Sequence, residues 1–136
     1  MTGPFPVTIY HNPDCGTSRN ALAMIEAAGY APTIVDYRVA GWTRPLLEQL
    51  LGAMNLAARD LLREKGTPAA ALGLLGPDVS DEAIFEAMLD HPILANRPIV
   101  VTPRGAQLCR PSESVLDLLE NRPDSFTKED GEIVRS

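Results

Sequence analysis

Between Val7 and Tyr37 the hydrophobic period changes twice, and this constrains the fold more than any other stretch of the chain. Val7-Thr8-Ile9-Tyr10 is a short apolar, β-branched run that reads as a buried strand. Ser18 to Ala28 then takes a helical period, with Leu22, Ile25 and Ala28 on one face and Gly29 placed to end it. Thr33-Ile34-Val35-Asp36-Tyr37 returns to strand. A strand, a helix and a strand in this order make a βαβ unit, which requires parallel pairing and a right-handed crossover.

The rest of the chain completes a mixed α/β architecture. Thr43 is placed to cap a helix through Leu46, Leu47, Leu50 and Leu51, and shorter helical turns are expected over Ala57–Arg63 and Pro68–Leu72. Ser80 or Asp81 caps a helix carrying Ile84, Phe85, Met88 and Leu89, which closes at His91-Pro92. Ile99-Val100-Val101 and Gln107-Leu108-Cys109 flank Pro103-Arg104-Gly105 as an antiparallel hairpin. Ser112 would cap a last helix with Val115, Leu116 and Leu119 inward, and Thr127-x-x-Asp130 suggests a weak terminal one. The order βαβ, helical insert, ββα is that of a thioredoxin-like α/β sandwich with one mixed sheet flanked by helices, expected here as a single domain over residues 1–136.

Composition excludes several function classes. A net charge of −6 does not suit nucleic acid or an acidic membrane surface. No apolar run is long enough to span a bilayer, and the segment from Met1 to Pro6 lacks the basic start and apolar stretch of a secretory signal. The two cysteines, Cys15 and Cys109, are read as free thiols in a reducing cytoplasm. No metal-ligand spacing or glycine-rich dinucleotide fingerprint occurs, so neither a metal nor a bound cofactor is expected.

The chemistry points to Cys15. It lies in His11-Asn12-Pro13-Asp14-Cys15-Gly16-Thr17-Ser18-Arg19-Asn20, between the first strand and the first helix. A helix N-terminus presents N–H groups without intrahelical partners, and these stabilise both a thiolate and a bound oxyanion. Gly16 and Thr17 supply such groups. Ser18, at Cys-x-x-Ser spacing, offers a hydroxyl one turn from the sulfur, and His11 a nearby positive charge; a strand-end histidine bonded only to backbone is an equal alternative for His11. Cys109, beside Leu108, reads as a strand thiol without a catalytic role. Because the global charge is acidic, an anion site must come from local arginines. Arg97 and Arg110 each precede a proline, which fixes extended backbone and makes a rigid mount; Arg63, near the end of a short apolar helix, is a weaker third candidate. Together they would form a cradle for a tetrahedral oxyanion.

These blocks resemble the glutaredoxin-coupled arsenate reductases. The likeness rests on the cysteine segment above, on His91-Pro92-Ile93-Leu94-x-Asn96-Arg97-Pro98-Ile99-Val100-Val101, and on Leu108-Cys109-Arg110-Pro111-Ser112-Glu113, in that order. It implies a catalytic Cys15 aided by His11 and Ser18, and an arginine triad at Arg63, Arg97 and Arg110. It also implies a cis-proline at Pro98. The implied reaction begins with attack of the Cys15 thiolate on arsenate. Glutathione, as co-substrate, and glutaredoxin then complete reduction to arsenite. Two alternatives share the fold: a glutathione-dependent thiol oxidoreductase with another substrate, and a regulator of the Spx type that binds RNA polymerase. The second class carries Cys-x-x-Cys, where this chain has Ser18.

Overall fold

The computed structural model describes residues 5–135; the N-terminal reading therefore falls partly, over residues 1–4, outside the described residues. The chain divides into two compact units. One runs to Asp36 and resumes at Arg97; the other is the continuous insert Tyr37–Asn96.

The first unit holds the sheet. β1 (Thr8–His11) pairs in parallel with β2 (Thr33–Asp36) and antiparallel with β3 (Ile99–Thr102), which in turn pairs antiparallel with β4 (Gly105–Leu108). The order β2-β1-β3-β4 is the mixed sheet expected from the sequence. α1 (Gly16–Ala27) connects β1 to β2 and begins two residues earlier than its periodicity indicated. Its buried face is Ser18, Ala21, Met24 and Ile25, while Leu22 and Ala28 pack only at the margin of the core. Gly29, at φ +97°, ends the helix: its N–H reaches Glu26 O, and the Tyr30 N–H returns to Ile25 O. Only a residue free of Cβ crowding takes that left-handed turn readily.

α1 packs on a 3-10 helix, Ser112–Leu118, and the two share a core with Val7, Ile9, Val100 and Cys109. Val115, Leu116 and Leu119 point inward as expected, but Ser112 is not a cap. It is the first helical residue and is buried, with Pro111 before it. β3 begins at Ile99 as expected and runs on to Thr102, while β4 is displaced towards the N-terminus: Ile99 faces Leu108, so Cys109 lies just past the strand, its N–H bonded to Pro98 O at 2.9 Å. The expected terminal helix at Thr127–Asp130 is instead a hairpin of β5 (Ser125–Thr127) and β6 (Ile133–Arg135). The Asp130 carboxylate accepts the Glu132 N–H at 2.9 Å, and Gly131 adopts φ +94°, so the turn outcompetes a helix start.

The insert is helical, with α2 (Tyr37–Ala40), α3 (Arg44–Met54), α4 (Ala58–Leu61) and α5 (Asp81–Asp90). Thr43 Oγ1 accepts the Leu46 N–H and Ser80 Oγ the Ala83 N–H, so both predicted caps are present. Tyr37, expected to end β2, starts α2 and stacks on Trp42 with ring centroids 5.1 Å apart. The turn expected through Arg63 stops at Leu61, because Leu62 is drawn into an antiparallel bridge with Ala95 and the Arg63 N–H bonds Leu94 O. Pro68–Leu72 forms hydrogen-bonded turns rather than a helix, with Gly73 at φ +73° cutting the run short.

Candidate active site

The cysteine loop is built by its own backbone. Asn12, almost fully buried, accepts the Asp14 N–H on its side-chain oxygen at 2.9 Å, and its carbonyl accepts the Cys15 N–H at 3.0 Å. This Asx turn reverses the chain after β1 and sets Cys15 as the N-cap of α1, extended at φ −105°, ψ 122°. The Cys15 carbonyl accepts from Arg19 N–H at 3.0 Å, so the helix grows directly from the cysteine. Cys15 is 8% exposed.

Two arginines meet this thiol. Arg97 and Arg110 both precede cis prolines, Pro98 and Pro111, on either side of the β3–β4 hairpin. Pro98 thus has the cis geometry that the family resemblance implied. The Arg110 guanidinium Nη1 lies 3.8 Å from Cys15 Sγ and also donates to the Arg97 carbonyl at 2.9 Å. That carbonyl fixes the fork against the sulfur. Arg97 is itself nearly buried, and its side chain also hydrogen-bonds the sulfur.

The electrostatic balance favours a thiolate. Burial pushes the Cys15 thiol up. The Ser18 main-chain N–H, the Arg97 and Arg110 guanidiniums and the Thr17 N–H more than offset this and bring it down to about 7. At neutral pH such a group is about half thiolate, against roughly 3% for a free thiol titrating near 8.5. Cys109 is the opposite case. It is fully buried, its Sγ–H donates to Gln107 O at 3.6 Å, and burial, with Asp117 adding to it, pushes the thiol up to about 12. Only Cys15 has a reactive thiol's surroundings.

The other predicted residues fall into place unevenly. Ser18 reaches the sulfur through its main chain, while its hydroxyl accepts the Asn12 N–H at 3.4 Å and so helps to hold the loop. Gly16 and Thr17 open α1 beside the thiol. A Cβ at Gly16 would make ordinary contacts, 3.7 Å from Arg19 and from Glu129, so close packing does not demand glycine there. His11 is buried at the end of β1, in register with Asp36. Arg63 belongs to the insert, where it donates to Lys65 O at 3.2 Å and to the Asn96 side chain at 3.4 Å. Sequence reading passed over Arg19, whose Nη1 donates to Pro13 O at 2.8 Å and whose Nε and Nη2 grip the Glu129 carboxylate. Its place in the cysteine motif was visible, but its partner lies far along the chain.

A mixed sheet of thioredoxin type, with one activated thiol at a helix N-terminus and two guanidiniums on its sulfur, defines a thiolate-dependent oxidoreductase site that also suits an oxyanion. A model of the ArsC family matches residues 10–118. The chain is 57% identical to an arsenate reductase of Rhizobium meliloti and 56% identical to one of Synechocystis, each across 94% of this chain and 92% of the relative. It also superposes on an arsenate reductase of Vibrio cholerae with a TM-score of 0.80 at 38% identity, covering 86% of this chain and all of that one. The chain belongs to the ArsC family.

Proposed function

We propose that this protein is an arsenate reductase that works through a single thiolate, Cys15. The observation that carries this reading is the Cys15 thiol at about 7 with the Arg110 fork 3.8 Å from its sulfur, a nucleophile and an oxyanion clamp in one place. In this reading Arg97, Arg110 and the N–H groups of Gly16 and Thr17 hold the arsenate oxygens, and the arginine role implied for Arg63 is tested by its own Lys and Ala variants. Ser18 supports the thiolate through its N–H.

The first step joins sulfur to arsenic and expels one arsenate oxygen, which takes up protons and leaves as water. The overall change then needs two electrons: arsenate and two thiols give arsenite, a disulfide and water. Glutathione supplies the first thiol and glutaredoxin resolves the mixed species. No bound cofactor enters the scheme. Cys109, protonated and buried, does not serve as the second thiol, and two free cysteines fit a reducing cytoplasm. Ser18 at the position of a second redox cysteine favours this reading over a thiol-switch regulator.

The test is NADPH oxidation coupled through glutathione and glutaredoxin, with and without arsenate. The expected result is consumption that depends on arsenate and yields arsenite. Consumption independent of arsenate would instead make the protein a thiol oxidoreductase for another substrate.

The pH dependence follows from the same thiol. Its pKa lies below that of a free thiol, so alkylation of Cys15 should rise as pH increases through about 7 and level off above it, whereas Cys109 stays unmodified in the folded protein. The family resemblance gives His11 a positive charge beside the thiol, and on that reading His11→Ala raises the Cys15 pKa, because losing a positive neighbour disfavours the thiolate. Thiolate absorbance followed against pH measures this, and an unchanged titration would leave His11 with a structural role alone.

A further inference from the structure

The two sequence blocks that carry the site contain charged residues that catalysis does not use: Arg19 in the cysteine motif and Glu113 in the block after Arg110. Both lead to adjacent residues of one turn. Arg19 Nε and Nη2 bind the Glu129 carboxylate in a bidentate pair at 2.8 and 3.0 Å, and the Glu129 N–H donates to Asn20 Oδ1 at 3.1 Å. Lys128 Nζ lies 2.7 Å from Glu113 and 2.6 Å from Glu132. Its side chain is only 11% exposed, and the hairpin around it is seated by Phe126 and Val134, which pack against the core.

We propose that Lys128 and Glu129, in the turn of the C-terminal hairpin, are positioning residues that hold the cysteine loop and the Arg110 segment at a fixed separation. The connections close a ring. From Cys15 the chain reaches Pro13, whose carbonyl is held by Arg19; Arg19 is held by Glu129, and Glu129 is covalently joined to Lys128. Lys128 holds Glu113, three residues past Arg110, and the Arg110 fork returns to the Cys15 sulfur at 3.8 Å. Consecutive Cα atoms stand about 3.8 Å apart, so the turn sets a short, inextensible link between the two motif blocks. An exposed ion pair contributes little stability by itself. Here its consequence is placement, to which a nucleophile and its clamp are sensitive on a scale of about 1 Å.

The inference rests on Cys15 being the working thiol, but its test needs no arsenate, so it can fail independently of the arsenate reading. Three variants of the full chain, Glu129→Gln, Glu113→Gln and Glu132→Gln, remove the same charge. Glu129 and Glu113 link the hairpin to the site blocks; Glu132 pairs with Lys128 inside the hairpin and links nothing. Simple electrostatics lowers the Cys15 pKa in all three, since a negative charge is lost. A positioning role predicts the opposite sign at two of them. Slackening of the ring weakens the contacts that stabilise the thiolate, so in Glu129→Gln and Glu113→Gln the pKa rises and alkylation at neutral pH slows by roughly two- to fivefold, while Glu132→Gln does not slow. Unchanged or lowered titrations in Glu129→Gln and Glu113→Gln would overturn the proposal, as would an equal rise in Glu132→Gln. Glu129 is half exposed, so its variant keeps the fold, and an unaltered thermal midpoint alongside a raised pKa separates positioning from general loosening.

Discussion

Cys15→Ser should leave no measurable arsenate reduction, while Cys109→Ala should keep most of it. A serine hydroxyl in the same place is not ionised at neutral pH, so the guanidiniums and N–H groups around it have no anion to stabilise and no bond to arsenic forms. Cys109 lacks every such feature: its thiol is fully buried, bonded to Gln107 O and pushed up to about 12. Its truncation removes a small apolar group from the core and costs stability rather than chemistry. The coupled assay reads both variants. Comparable loss in the two would mean that both sulfurs take part in the reaction and would end the monothiol account.

The second large effect falls on the arginines. Arg110 meets two acceptors, the Arg97 carbonyl and the Cys15 sulfur, through one guanidinium nitrogen, Nη1, and a lysine ammonium in its place lacks the further N–H donors in the same plane that would meet an oxyanion. Arg97→Lys and Arg110→Lys are therefore expected to lose nearly as much as the alanine variants. Loss of one charge-assisted contact is worth on the order of 1.5–3 kcal/mol, roughly ten- to a hundredfold in kcat/KM for arsenate. A clamp used equally before and during reaction raises KM alone, whereas one that meets charge on the departing oxygen lowers kcat. The lysine variants should also titrate at higher pH, since the same groups hold the thiolate down. Arg104 is the control. Its guanidinium donates to Leu119 O at 2.8 Å, beside the 3-10 helix, and its replacement should be near neutral for activity. Full activity with unchanged KM in both lysine variants would remove the clamp.

Local signals explain which parts were legible in the sequence. The Thr43 and Ser80 caps and the Gly29 stop depend on groups within a few residues of one another, and each is present as read; the parallel pairing of β1 with β2 joins residues 25 apart, but the change of hydrophobic period on either side of α1 announced it. The misreadings share a cause of the opposite kind. Leu62 looked helical until a bridge to Ala95 claimed it, and Thr127-x-x-Asp130 imitates a cap where Gly131 makes a turn. At the site, the activated cysteine was legible because a strand, a tight loop and a helix follow one another directly. That Ser18 acts through its N–H was not, because the loop geometry gives its hydroxyl to Asn12. Nor was the link from Arg19 to Glu129, 110 residues apart and dependent on the closed fold.

The contrast between the two thiols also decides how the protein meets oxidants. A thiolate with Cys15's surroundings reacts with peroxide to give a sulfenic acid, and many proteins rescue that state by condensing it with a neighbouring cysteine before further oxidation becomes irreversible. Here the chain's other cysteine, Cys109, is buried and protonated, so it cannot act as that neighbour. Recovery then depends on thiols in solution, and a fall in their reduced pool would leave the nucleophile open to permanent loss.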